Sequence, residues 1–129
     1  MRKLIYSLVL ASSASLAGSA TAHHSFAAEF SYEDFGSREG EVVEVHFVNP
    51  HARIFFAVTN ANGEEEIWDA QTFPPRNLIA NGWHRDTINV GDRINIEGNL
   101  GLEGSFKLWI ISMTLEDGTE ILPNGGRAN

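Results

Sequence analysis

No cysteine occurs in the 129 residues. The chain can therefore form no disulfide, hold no metal through thiolates, and present no cysteine nucleophile or lipid-modified cysteine anchor. Basic residues are also scarce. Nine Lys and Arg stand against seventeen Asp and Glu, a formal net charge of −8. An acidic surface of this kind repels phosphate backbones, so nucleic acid is not an expected partner. Long apolar runs are missing too, and the stretch near the amino terminus is shorter than the ~20 residues of a membrane-spanning helix. There is no Gly-x-Ser-x-Gly elbow, phosphate loop, dinucleotide fingerprint or Cys-His zinc pattern. Serine hydrolysis has no support, and the reading leans away from an enzyme while leaving that alternative open.

What is present begins with an export signal. Arg2 and Lys3 precede an apolar segment of Leu4, Ile5, Leu8, Val9 and Leu10, which gives way to Ser, Ala and Gly and ends at Ala20-Thr21-Ala22. That order fits a secretory signal peptide over residues 1–22 with a small-x-small cleavage site. The expected destination is the periplasm, with no membrane span after cleavage. Loss of Arg2 and Lys3 takes the formal charge to −10. Cleavage after Ala22 makes His23 the first residue. Cleavage after Ala20 is the alternative, and it places His23 third, where amine, amides and imidazole can wrap copper in a plane.

The rest reads as one domain. Residues 23–39 look like an N-terminal arm of mixed polarity, 40–123 like a β-barrel domain, and 124–129 like a tail. In 41–48, Val43, Val45 and Phe47 alternate with Glu44 and His46, as on a half-buried strand. Asn49-Pro50 breaks it. Ala52, Ile54, Phe56 and Val58 share a face of the next strand, and Asn60-Ala61-Asn62-Gly63 reads as a hairpin turn. Residues 65–71 form a third strand with Trp68 and Ala70 on one side. Pro74-Pro75 opens a short helix with Leu78 and Ile79 as its apolar side. A fourth strand covers 93–98 with Ile94 and Ile96 inward, and 98–104 reads as a loop. The fifth strand, 106–115, has Trp109, Ile111, Met113 and Leu115 alternating. A short last strand follows at 120–122. Three strands, one short helix and two strands match an all-β fold with one short helix, a small OB-like five-stranded Greek-key barrel. A small open β-sandwich is the alternative.

Histidine carries the sharpest chemical signal. His23-His24 follows the cleavage site, and a histidine at a free amino terminus offers two adjacent nitrogens, the α-amine and ring Nδ1. Such donors favour copper in the divalent order. They must be deprotonated, so binding should depend on pH. His51 is the third candidate. Pro50 pins the strand corner from which it projects, and Asn49 can satisfy local backbone groups at that turn. His23, His24 and His51 are thus the candidate metal ligands, with Asn49 and Pro50 as the supporting motif and His46 as an outer partner. Asp69, between Trp68 and Ala70, is a candidate outer acceptor, while His84 carries little weight as a ligand. The expected function is a periplasmic metal-binding module with copper as its candidate cofactor. The alternatives are incidental surface histidines on a metal-free periplasmic ligand- or protein-binding OB-like domain, and an oxidative enzyme built on a copper brace.

Several segments together resemble the DUF6152 family of exported bacterial proteins of unknown function. They are His23-His24-Ser25-Phe26-Ala27, Phe47-Val48-Asn49-Pro50-His51-Ala52, Gly82-Trp83-His84-Arg85-Asp86, Val90-Gly91-Asp92 and Leu115-Glu116-Asp117-Gly118. Arg53 departs from the pattern, standing where that family is expected to have an aromatic residue. The resemblance implies export and one β-rich domain, and marks His23, His24, Asn49, Pro50 and His51 as motif positions. It implies no activity.

Overall fold

The computed structural model describes residues 26–125. The expected signal at 1–22, the paired histidines His23 and His24, and residues 126–129 of the tail lie outside the described residues. A helical turn at 26–29 leads into β1 (Phe30–His46). There follow β2 (Arg53–Thr59), β3 (Glu65–Gln71), α1 (Pro75–Ala80), β4 (Arg93–Gly101), β5 (Lys107–Leu115) and β6 (Glu120–Ile121). The sheet order is β3-β2-β1-β4-β5-β6, and a parallel pairing of β3 with β5 closes the first five strands into a ring. This is the OB-like barrel, with β6 as a short addition on β5. Among the described residues, no helix is long and apolar enough to cross a membrane.

Closure depends on β1, which serves two neighbours. Its first half pairs with β4 and its second half with β2. A strand that changes partners must bend, and side chains crowd at the bend. At Gly40 an added Cβ would lie 2.1 Å from the Ala57 carbonyl oxygen, and at Gly98 only 1.8 Å from that of Trp109. Glycine is required at both places, Gly40 where β1 changes partner and Gly98 on β4 at the step in the β4–β5 register. The barrel therefore begins at Phe30, ten residues before the first strand signal at Gly40. Part of the expected arm is barrel wall.

The interior is filled by alternating side chains. Ile54, Phe56, Ala70, Ile94, Ile96, Leu108, Ile110 and Met113 are buried, and Leu78, Trp83 and Ile88 from α1 and the loop after it join the same core. Each large apolar side chain withdrawn from water contributes roughly 1.5–3 kcal/mol. β2 and β3 face as their alternation predicts. β1 and β5 do not, because each carries a bulge. The β1–β2 register steps from Val42↔Phe56 to Glu44↔Phe55, so Val43 is the extra residue and is exposed, while Val42 is buried. The β4–β5 register steps from Glu97↔Ser112 to Gly98↔Ile110, which leaves Ile111 unpaired and exposed. A bulge shifts the inward set by one residue. Met113 thus faces the core as expected, but Leu108 and Ile110 replace Trp109 and Ile111. Two smaller differences follow from packing. Ile79 is exposed on α1. The expected loop at 98–104 continues as strand to Gly101, then makes a 3-10 turn at Leu102–Gly104.

Candidate functional site: an aromatic cleft on the barrel wall

The shift in β5 turns Trp109 out of the core and onto the outer wall, where it is half-buried. Four rings surround it. His51 lies 5.3 Å away at 86°, Phe73 5.5 Å at 89°, Phe26 5.7 Å at 80° and Phe30 6.0 Å at 65°. Edge-to-face contacts at these distances are favourable beyond the area they bury. With Glu29 and Gln71 the rings line a cleft of about 240 Å³.

Each ring reaches the cleft for a local reason. His51 follows the Asn49–Pro50 corner, whose peptide is cis. The chain after that corner is stapled to the end of β3: the Ala52 N–H donates to the Phe73 carbonyl (3.2 Å), and the Thr72 N–H donates to that of Ala52 (3.0 Å). His51 and Phe73 are therefore held side by side. Phe26 is the first residue of the helical turn and Phe30 is the residue just after it.

Beside the aromatic wall runs a polar strip on the outward positions of β2, β3 and β5. Arg53 grips Asp69 through both guanidinium arms, with Nε donating to Oδ1 at 3.0 Å. Gln71 Nε2 donates to Asp69 Oδ2 at 3.1 Å and to Glu29 Oε2 at 3.5 Å, while Lys107 Nζ donates to Glu29 Oε2 at 2.9 Å. Strand register sets this order: Arg53 opposes Gln71, which opposes Trp109, and Asp69 opposes Lys107. The Arg53 guanidinium is held above its ordinary pKa, first by its hydrogen bond to Asp69, against a smaller opposing effect of burial, with the charges of Asp69 and Glu29 adding to the rise.

Of the residues marked in the sequence, the structure brings His51 to the cleft and leaves Asn49 and Pro50 exposed at its corner. His46 does not line the cleft. It bonds Glu44 and meets the edge of Phe55 at 5.2 Å. His84 is exposed in the loop after α1. Asp69 is 7% exposed and is occupied by Arg53 and Gln71. Among the described residues, no group of three or more His, Cys, Asp or Glu could hold a metal ion. Trp68 and Trp83 serve the core, as tryptophans in a small barrel are expected to do, but Trp109 does not. Sequence reading missed Glu29, Gln71, Phe73 and Lys107. One signal was available: Lys107 is the only lysine beyond position 3.

A family model described as a family of unknown function, DUF6152, matches residues 11–107. No curated protein matches the chain. Among solved structures, the mitochondrial single-stranded DNA binding protein Rim1 from S. cerevisiae is similar in fold over 67% of this chain and 94% of that chain, at 13% identity and a TM-score of 0.48.

Proposed function

We propose that this chain, which belongs to the DUF6152 family of unknown function, is an exported periplasmic metal-binding module that prefers copper. Its nitrogen donors are those of the processed amino terminus, His23 with His24, together with His51. One observation carries the reading: Phe26 and His51 line the same cleft and pack against the same indole, Trp109. Three peptide units separate His23 from Phe26, so at ~3.8 Å per unit its Cα lies within about 11 Å of that of Phe26. Covalent geometry therefore allows the α-amine, the His23 ring and the His51 ring to meet at one ion. Imidazole and amine donors favour copper over the earlier divalent metals. The acidic charge of the protein draws cations toward it.

The experiment is copper titration of protein whose mass confirms His23 as the first residue. Binding near one equivalent per chain is expected. It should weaken sharply in His51→Ala and in a chain with one residue added before His23, but not in His84→Ala. It should also weaken in acid, because the nitrogen donors must be deprotonated to bind a metal. Unchanged affinity in both His51→Ala and the extended chain would refute the site. A metal-free binding domain is the second reading. It is favoured by a cleft of about 490 Å³ at the β2–β3 hairpin, where Arg38 lies 4.3 Å over Trp68 and Phe106 is exposed.

A further inference from the structure

We propose that Lys107 and Glu29 are positioning residues: their ion pair docks the helical turn at 26–29 on the barrel wall and so fixes the place of Phe26, to which the amino-terminal segment is joined. An isolated surface ion pair contributes little, but this one is reinforced on both sides. Glu29 Oε2 accepts from Lys107 Nζ at 2.9 Å on β5 and from Gln71 Nε2 at 3.5 Å on β3. Phe26, which opens the turn, and Phe30, which follows it, both pack on Trp109. Lys107 and Trp109 stand two residues apart on the outward side of β5, so the charged and aromatic contacts hold one turn at one place. The charge partner is specific to the dock. Lys107 is the only lysine beyond position 3, and it opposes Asp69 in register while its ammonium reaches Glu29. Asp69 is taken by Arg53 and Gln71, which leaves the lysine to the turn.

The consequence for metal rests on the copper reading given above. If an ion takes donors from both the amino-terminal segment and His51, it binds the docked state better than the released one. Docking and metal affinity are then linked by a single coupling factor.

The test is a charge swap: Glu29→Lys, Lys107→Glu and the two combined, with the near-isosteric Glu29→Gln as a milder probe. Two quantities are read, copper affinity of processed protein by chelator competition, and hydrogen exchange of the backbone amides at 26–30 without metal. Each single reversal should weaken copper by roughly tenfold and speed exchange. Glu29→Gln should act in the same direction by less. The combined swap should return both quantities to near the wild-type values. Wild-type values in the single reversals would overturn the proposal. So would a swap that fails to restore them, because the pair would then matter only to general stability. If the wild-type protein takes up no copper, the metal reading falls and exchange alone decides docking: faster exchange in the singles with recovery in the swap supports it, and equal protection throughout overturns it.

Discussion

Trp109 offers a quantitative test of the outer wall. A fully buried aromatic cut to alanine costs ~3–5 kcal/mol. Trp109 is only half-buried, so the transfer part falls to roughly half of that range. Its four ring neighbours at 5.3–6.0 Å add to the loss. Because Phe26, Phe30 and Phe73 can close over the gap and recover most of the pairing, the net addition is about 0.5 kcal/mol, the lower end for a single aromatic pair. Trp109→Ala should therefore cost about 2–3 kcal/mol, less than the ~3–5 kcal/mol expected for the enclosed Phe56→Ala. Urea unfolding measures both, with the midpoint shifting at constant slope. Trp109→Phe, which keeps a ring in the cleft, should recover more than half of the loss. A change within noise for Trp109→Ala would refute the organising role of the indole. A loss matching that of Phe56→Ala would put the side chain inside the barrel and reverse the assigned faces of β5.

Gly98→Ala should destabilise by ~1–3 kcal/mol in a thermal melt, since its Cβ would meet the Trp109 carbonyl at 1.8 Å. Wild-type stability would mean that the crossing is looser than described. Asp69→Asn should cost about 1–2 kcal/mol in urea, below the figure for a fully buried pair because the Arg53 side chain is 39% exposed; no loss would show that water serves Arg53 equally well. Asp117 is held below the ordinary carboxylate range, first by the Thr119 backbone N–H that donates to it at 2.8 Å. Its folded pKa is thus lower than its unfolded one, so its contribution is present above the unfolded value and lost as pH falls through the folded value. Asp117→Asn should remove that part of the acid-unfolding profile, and an identical profile would refute it.

The parts of the fold legible in sequence are those that keep a period of two without interruption. From Ala52, just before β2, to Val58 within it the residues alternate cleanly, and in β3, Trp68 and Ala70 point inward as read. The single-residue insertions at Val43 and Ile111 are invisible to periodicity, because either phase offers apolar residues in those strands. Val42 and Val43 are equally plausible core residues until the register with Phe56 is known. The wall at 30–39 was hidden for another reason: its partners in β4 lie some sixty residues away, and one face of it carries charge. At the site, His51 was legible because Pro50 pins the strand corner from which it projects. Glu29 and Lys107 were not, since the pair spans 78 residues and each alone looks like ordinary surface charge.

The parallel seam between β3 and β5 joins only Asp69↔Lys107, Ala70↔Leu108 and Gln71↔Trp109, with the Asp69 N–H donating to the Phe106 carbonyl at its end. Of the ladders that close the ring it is the shortest, and so the natural place for a partial opening that leaves the other strands paired. The cleft lies across it, with Gln71 on one lip, Trp109 on the other, and Glu29 bound from both sides. Anything that fills the cleft therefore acts as a rivet across the slit of a rolled sheet. Occupancy would suppress opening by mass action.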